Sequence, residues 1–187
     1  MKLPHIIGLC GDPKSGKSEV QKIIVKLGAI PVDDGRPMRK FAVDSLGLDW
    51  ADVLTQEGKL GFVEINGKRW QVREILGELG NKLESMFGMD GIPFMATRNL
   101  QINDSYCFGS VRREQGHFYK KMGGVVLGVR RPGNAPSEFE FDHFDHSAVD
   151  LWIDNDGDLE ALEASVAITL ALLPLLQRQI EWSAWDA

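Results

Sequence analysis

The residues best suited to chemistry lie in one glycine-rich turn near the start of the chain. Its eight consecutive positions are Gly11, Asp12, Pro13, Lys14, Ser15, Gly16, Lys17 and Ser18. They match the pattern G-x-x-x-x-G-K-[ST], in which backbone N–H groups surround the oxygens of a polyphosphate. In that pattern the lysine, here Lys17, reaches the terminal phosphates, and the hydroxyl of Ser18 is a ligand of Mg²⁺. The turn therefore predicts binding of a nucleoside triphosphate.

The segments on either side of the turn supply the context that this chemistry requires. Residues 5–10 are short, apolar and rich in β-branched side chains, which predicts a buried strand. Residues 19–27 carry apolar side chains at i, i+3, i+4 and i+7, the spacing of one helix face. The N-terminus of that helix would add its partial positive charge beside the phosphates. An ordinary Gly/Ser/Lys turn is the alternative, and the flanking strand and helix disfavour it.

Predicted strands and helices alternate along the rest of the chain. Further strands are predicted at residues 29–32, 105–109, 125–129 and 149–153, and a tight hairpin is predicted around Asn66-Gly67. Helices are predicted from about residue 36, from about residue 71, over residues 112–122 and from residue 158 onward. This alternation predicts a three-layer α/β/α fold with a five-stranded, mostly parallel sheet. Such folds bind ligands at the carboxyl ends of their strands.

Composition and charge limit the classes of protein to which the chain can belong. Its 187 residues are 43% hydrophobic and 26% charged, which is typical of one folded domain. The net charge of −6 leaves no general basic surface, so nucleic acid is not a predicted partner. Cys10 and Cys107 both fall in predicted strands, which favours free thiols and a cytoplasmic location.

No segment is predicted to enter a membrane. The longest apolar run, residues 164–176, is shorter than a bilayer requires and contains Pro174, so it is interpreted as a core helix. The first residues lack the charged and apolar regions of a signal peptide. The predicted partners are therefore small molecules rather than membranes.

The glycine-rich turn does not fix the reaction, because GTPases, motor ATPases and small-molecule kinases share it. Three features favour a kinase. The chain is too short for motor modules, and several arginines fall where a second phosphate could be bound. The segment between the second and third predicted strands is also long and largely helical, as an acceptor-binding insertion would be.

Several short motifs elsewhere in the chain share their order and spacing with one family of enzymes. They are residues 37–40 (PMRK), residues 72–80 (VREILGELG), Arg112, residues 122–126 (MGGVV), residues 130–133 (RRPG), His146-Ser147 and residues 155–162 (NDGDLEAL). Together with the glycine-rich turn, they make the chain resemble the deoxynucleoside monophosphate kinases of tailed bacteriophages. The chain resembles the wider nucleoside monophosphate kinase group more loosely. The resemblance runs over most of the length.

The resemblance implies an α/β fold of the nucleoside monophosphate kinase type, formed as a single domain over residues 1–187. It implies transfer of the γ-phosphoryl group of ATP, bound with Mg²⁺, to a deoxynucleoside monophosphate. An acceptor-binding helical insertion is expected at about residues 35–100. A loop that closes over the nucleotide is expected at about residues 131–148.

The same resemblance implies roles for individual side chains. Catalytic roles fall on Lys17, Arg73, Arg112 and Arg131. Arg39 and Arg73 would bind the α-phosphate of the acceptor, because arginine grips phosphate oxygens with a planar fork and stays charged. Asn155 would lie near the adenine of ATP. For each single arginine, a solvated helix face is the alternative interpretation.

One position departs from the family pattern. Family members carry an aspartate at the end of the third strand that helps to organise Mg²⁺, whereas this chain has Ser110 there. Asp33 or Asp34, which follow the second strand and are expected to contact substrate, could supply the missing carboxylate. Alternatively Ser18, phosphates and water hold Mg²⁺ alone, or transfer is weak or lost.

Two other functions stay open from the sequence. Residues 7–9, the glycine-rich turn and residues 27–34, which end in Asp33-Asp34, are also similar to the start of dephospho-coenzyme A kinases. In those enzymes an acid at the end of this strand acts on the acceptor hydroxyl. The serine at position 110 motivates the other possibility, a nucleotide-binding module with little transfer activity.

Two further patterns carry weaker predictions. Residues 142–146 (DHFDH) have side chains that could bind a transition metal, but a mobile loop that closes over the nucleotide is the favoured interpretation. Trp182 and Trp185 would lie either at the edge of the core or in the contact of a homodimer.

Overall fold

The structure is a computed structural model that describes residues 2–183, with side chains described as far as residue 175. The strands are β1 (Ile6–Cys10), β2 (Ile30–Val32), β3 (Phe62–Ile65), β4 (Lys68–Gln71), β5 (Tyr106–Phe108), β6 (Val125–Arg130) and β7 (Leu151–Asp154). The helices are α1 (Lys17–Lys26), α2 (Arg36–Leu46), α3 (Trp50–Leu54), α4 (Gln56–Leu60), α5 (Val72–Phe87), α6 (Gly91–Thr97), α7 (Gln115–Lys121) and α8 (Leu159–Ser183). Short 3₁₀ helices at Glu140–Asp142 and His146–Ala148 lie in the loop before β7.

Five strands form one parallel sheet in the order β2-β5-β1-β6-β7. In the central strand, Ile6 lies opposite Tyr106 of β5, and Ile7 lies opposite Val125 of β6. All residues of β1 are buried, as expected where helices cover both faces of a parallel sheet. The predicted α/β fold with a five-stranded parallel sheet is confirmed.

Each face of the sheet carries its own layer of packed apolar side chains. On one face, Ile24 of α1 and Val166 of α8 are fully buried in the same cluster. On the other face, the ring of Tyr119 in α7 lies 4.6 Å from that of Phe108 in β5, measured between centroids. Burial of these apolar surfaces stabilises the sheet and places the carboxyl ends of β1, β2 and β5 side by side.

Helices α2 to α6 and the antiparallel hairpin β3–β4 lie between β2 and β5 in the chain. Asn66 and Gly67 at the hairpin turn have positive φ values of 51° and 73°, which suit a two-residue turn and confirm the predicted hairpin. A separate apolar cluster that includes Ala42, Val53 and Val72 joins α2, α3 and α5. The sequence does not predict α3 and α4, because five residues are too few to show a helical period, and it does not predict the seven-residue α6.

The main departure from the predicted elements follows β5. The helix predicted over residues 112–122 begins only at Gln115, so the prediction is wrong for its first turn. Arg113 has a positive φ of 45°, and the backbone N–H of Arg112 donates to Oε1 of Gln115 over 3.1 Å. Both arginines therefore lie in a loop at the carboxyl edge of the sheet rather than on a helix face.

Both cysteines, Cys10 and Cys107, are free and buried, and burial raises the pKa of each thiol to about 12. In the part of the chain that the structure describes, no helix combines the length and apolarity that a membrane crossing requires. Trp185 and the side chain of Trp182 lie outside the described residues, so the homodimer contact stays a prediction.

Candidate functional site

The glycine-rich turn joins β1 to α1 in a conformation that depends on its glycines. Gly11 and Gly16 have φ values of 142° and 104°, which side chains of L-residues rarely allow. A Cβ atom at Gly11 would overlap the carbonyl oxygen of Val129, and one at Gly16 would overlap the side-chain amide of Asn155. At both glycine positions of the pattern, any larger side chain would therefore clash with a neighbouring segment.

The turn is also held by hydrogen bonds from other loops. The amide Nδ2 of the buried Asn155, which follows β7, donates to the carbonyl oxygen of Ser15 over 2.8 Å. Nδ2 of Asn134 donates to the carbonyl oxygen of Pro13 over 3.1 Å. The structure therefore gives Asn155 a contact with the turn itself, while its role beside adenine stays a prediction.

Lys17 lies at the first position of α1, with its ammonium group inside the turn. Its Nζ donates to the carbonyl oxygens of Gly11 and Asp12 over 2.6 Å and 2.8 Å. Burial, together with the positive charge of Arg112, lowers the pKa of Lys17 to about 8. An anion in the turn would offset both effects, so the environment of Lys17 favours a negatively charged ligand.

A cavity of about 1190 Å³ opens beside the turn, between the carboxyl ends of the strands and helices α2, α4, α5 and α6. Among the side chains that line it are Lys17, Ser18, Asp33, Asp34, Arg39, Lys59, Arg73, Arg112 and Asp142. The cavity therefore brings all four predicted acceptor residues together with most residues of the glycine-rich turn. Asp12, Ser15 and Asn155, which are also predicted to bind ATP, are not among its lining residues. Arg131 is exposed and is not among the residues that line the cavity.

Arg73 and Arg112 share one carboxylate, that of Asp142 in the loop before β7. Nη1 of Arg73 lies 2.8 Å from Oδ2 of Asp142, and Nη2 of Arg112 lies 3.3 Å from Oδ1. Nη2 of Arg73 also donates to Oε1 of Gln56 in α4 over 2.8 Å. The two guanidinium groups come from α5 and from the loop after β5, and they converge on a single anionic group.

Aromatic side chains of the same loop cover these guanidinium groups. The Cζ atom of Arg73 lies 5.1 Å from the ring centroid of Phe139, and that of Arg112 lies 5.7 Å from the ring centroid of Phe141. Such contacts between cations and ring faces are favourable. The predicted closing loop is thus packed on α5, with Asp142 directed at both arginines.

The adjacent residues Asp33 and Asp34 have different surroundings. Asp33 forms an ion pair with Arg39 of α2 and accepts a hydrogen bond from the backbone N–H of Gly35 over 3.1 Å. The side chain of Asp34 is buried, and within the described residues its Oδ2 has no hydrogen-bond partner. Burial raises the pKa of Asp34 to about 7, an effect that the charge of Arg112 opposes.

Sequence reasoning missed two of the charged residues that line this cavity. Lys59 lies on α4, which is too short to be predicted, and the sequence indicates Asp142 only as a metal ligand or as part of a mobile loop. Among the residues that the structure describes, no cluster of three or more His, Cys, Asp or Glu side chains is arranged to hold a metal ion. The predicted Mg²⁺ ligand, Ser18, lines the same cavity as Asp34.

No protein-family profile and no curated protein sequence matches the chain. Solved structures do match it. A dephospho-CoA kinase from Campylobacter jejuni is 15% identical, with 90% of this chain and 96% of that chain covered, at a TM-score of 0.53. The protein TT1252 from Thermus thermophilus is 18% identical, with 92% and 99% covered, at a TM-score of 0.48. Shikimate kinase from Aquifex aeolicus is 15% identical, with 91% and 98% covered, at a TM-score of 0.46.

The likeness to the Campylobacter jejuni enzyme extends over nearly the whole of both chains. The chain therefore shares the overall fold of that enzyme. At 15% identity the likeness concerns the fold, and the acceptor has to be argued from the cavity itself.

Proposed function

We propose that the protein transfers the γ-phosphoryl group of Mg-ATP to a (deoxy)nucleoside monophosphate, giving the diphosphate and ADP. The observation that carries this proposal is the convergence of two cationic groups on one cavity, Lys17 of the glycine-rich turn and the Arg73–Arg112 pair. Arg112 connects them, because its charge acts on Lys17 while its guanidinium contacts the carboxylate that Arg73 also binds. Phosphoryl transfer from ATP to a monophosphate requires the two phosphate groups to be held close together, with positive charge near both. Arg112 is placed to supply part of that charge.

The glycine-rich turn has the features needed to hold the triphosphate of ATP. Its tightly packed backbone at Gly11 and Gly16 leaves N–H groups rather than side chains to contact phosphate oxygens. The hydroxyl of Ser18 would bind Mg²⁺, with phosphate oxygens and water as the remaining ligands. Bound there, Mg²⁺ would offset part of the charge of the phosphates.

A monophosphate acceptor attacks with a phosphate oxygen, so the protein must supply positive charge rather than a base. The new bond to the γ-phosphorus forms as the bond to the leaving ADP oxygen breaks, and Lys17 and Arg112 stabilise the charge of the transferring group. Arg39 and Arg73 would hold the acceptor phosphate in line. The insertion at about residues 35–100 would surround the acceptor.

The loop at about residues 131–148 would exclude water while the transfer takes place. Arg131 is carried on this loop and would approach the transferring group if the loop moves further over bound ATP. Asn155 would keep the turn in place from the opposite side, through its hydrogen bond to Ser15.

A panel of ribonucleoside and deoxyribonucleoside monophosphates, each added with Mg-ATP, tests the proposal through the rate of ADP formation. We expect at least one of them to raise the rate above that with ATP alone. Lys17→Met should lower the stimulated rate by about 100-fold or more, because charge at the transferred group is lost. Lys22→Met, which changes an exposed lysine of the same helix, should leave it unchanged. If ATP binds but no monophosphate raises the rate, the binding-module interpretation replaces this one.

Asp34 favours a second candidate, transfer to an acceptor hydroxyl, which the similarity to dephospho-coenzyme A kinases implies. A hydroxyl must lose its proton as it attacks phosphorus, so a general base is required. A buried carboxyl whose pKa is raised to about 7 suits that role at neutral pH. A phosphate acceptor is already ionised and has no need of such a group.

Dephospho-coenzyme A in the same assay separates the two candidates. Transfer to it that is lost in Asp34→Asn would identify a hydroxyl acceptor as the substrate. Transfer to a monophosphate that persists in Asp34→Asn would support the first proposal, because no base is needed there.

A further inference from the structure

A further cationic side chain, that of Lys59 in α4, lines the cavity, and no pattern in the sequence predicts it there. The positive charges of Arg39, Arg73 and Arg112 all act on it. Arg39 belongs to α2, Arg73 to α5 and Arg112 to the loop after β5, so the three charges come from three separate segments. Nη2 of Arg73 donates to Oε1 of Gln56, which lies three residues before Lys59 on α4, so α4 contacts this arginine directly. Four cations from four segments therefore line one cavity.

The carboxylates of this region leave Lys59 without a partner. Arg39 is paired with Asp33, and Arg73 and Arg112 share Asp142. The ammonium group of Lys59 forms neither an ion pair nor a hydrogen bond within residues 2–175, although the charge of Asp33 also acts on it. This part of the cavity consequently holds more positive than negative charge.

Such an arrangement is unfavourable unless a further anion is bound. Like charges repel strongly where water is partly excluded, and an unpaired ammonium group loses solvation on burial. Burial and the three arginines lower the pKa of Lys59 to about 8, which is the expected sign for a cation held among cations. Perturbed groups of this kind in a cavity are typical of binding sites.

The Asp142 carboxylate already shows where an anion sits between Arg73 and Arg112. Each of its two oxygens contacts a different guanidinium group. A phosphate monoester carries nearly two negative charges at neutral pH and has three terminal oxygens. It could therefore contact both arginines as the carboxylate does and use its third oxygen for Lys59.

We propose that Lys59 is a ligand of the acceptor's phosphate, together with Arg73 and Arg112, and that this phosphate replaces the Asp142 carboxylate between the two arginines. The inference rests on the proposed function, because that function places an acceptor phosphate in this part of the cavity. The inference adds Lys59 to the residues that bind the acceptor phosphate. It also makes the Asp142 carboxylate a competitor of that phosphate for the position between the two arginines.

Calorimetric titration with inorganic phosphate, in the presence of saturating Mg-ADP to fill the glycine-rich turn, tests the inference. Lys59→Met should weaken phosphate binding by about tenfold or more, because one charge-assisted contact is lost. Asp142→Asn should have the opposite effect and tighten it, because the competing charge is removed. Lys82→Met changes an exposed lysine of α5 that does not line the cavity and should leave the affinity unchanged.

The kinetic test measures the KM for one acceptor, the monophosphate that gives the highest rate in the panel above. Lys59→Met should raise this KM while the KM for ATP and the circular dichroism spectrum stay as in the wild type. Equal phosphate affinities for Lys59→Met and the wild type would overturn the role of Lys59. Unchanged or weaker binding in Asp142→Asn would overturn the replacement of its carboxylate.

Failure of the proposed function gives a different result. If Mg-ADP does not bind, or no monophosphate accepts the phosphoryl group, the proposed transfer is wrong. The phosphate affinities of the wild type, Lys59→Met and Asp142→Asn can then be compared without nucleotide, and they still decide whether the four cations form an anion site.

Discussion

Asp33 and Asp34 show how two identical neighbouring side chains acquire separate roles from their surroundings. The ion pair between Asp33 and Arg39 positions a guanidinium group at the cavity wall. Asp34 is buried without a hydrogen bond to its Oδ2 in the described part of the chain, so its charged form is disfavoured. A carboxyl group whose pKa is raised by burial in a cavity is typical of acid and base chemistry.

The raised pKa of Asp34 predicts a stability that depends on pH. The Asp34 carboxyl binds its proton more tightly in the folded protein than in the unfolded chain. The stability that this protonation contributes is therefore lost as the pH rises from about 4 to about 7. Asp34→Asn should therefore gain in free energy of unfolding relative to the wild type between pH 5 and pH 8. Urea unfolding at both pH values measures the gain. The prediction is contradicted if the difference in free energy of unfolding between Asp34→Asn and the wild type is the same at pH 5 and pH 8. It is also contradicted if the exposed control Asp44→Asn shows the same change between the two pH values.

At the scale of secondary structure, α5 and the loop before β7 depend on each other. Phe141 packs against α5 at Gly77, where an added Cβ atom would lie only 2.7 Å from Cε1 of the ring. Asp142, the next residue, forms the ion pair with Arg73 one helical turn earlier on α5. The helix that supplies the arginine therefore also supplies the docking position for the loop that neutralises it.

Gly77→Ala should loosen this loop without unfolding the sheet. The Phe141 ring must move, and the exposed Glu138 and Glu140 should then be cleaved several-fold faster by a glutamyl endopeptidase. Gly80→Ala is the matched control on the same helix, because its Cβ atom would lie 3.4 Å from Sδ of Met38, an ordinary contact. Equal cleavage rates in the two variants would show that Gly77 does not control the loop.

For the whole molecule, the cavity lies between two separately packed regions. One is the sheet with α1, α7 and α8, and the other is the cluster that joins α2, α3 and α5. The net charge of the chain is −6, yet cationic side chains are concentrated at this boundary. Low-dielectric walls focus that positive potential into the cavity, which attracts anions to a protein that is acidic elsewhere.

Ligand binding at this boundary should stabilise the entire fold. Mg-ADP at about 100 times its Kd contributes about 2.7 kcal/mol. For a chain of this size that corresponds to a rise in Tm of about 5–10 °C, measurable by scanning calorimetry. Adenosine, which has no phosphate for the turn, should give no comparable rise, and neither should Mg-ADP with Lys17→Met. A Tm that stays constant with Mg-ADP would contradict nucleotide binding in the turn.

The amino-acid sequence by itself determined the glycine-rich turn, the order of the strands and helices that alternate around it, and the parallel sheet. These features depend on local spacing: the eight-residue pattern at residues 11–18, apolar periodicity in β1 and α1, and the turn at Asn66-Gly67. Each is encoded within a few consecutive residues, so each can be recognised without knowledge of distant contacts.

Only the tertiary structure decided which charged residues meet. It placed Arg73 and Arg112 on one carboxylate, left Arg131 outside the cavity, and added Lys59 from a helix too short to be predicted. It also separated the buried Asp34 from its paired neighbour. Burial and convergence depend on how segments distant in the chain pack together, and no local pattern of residue types contains that information.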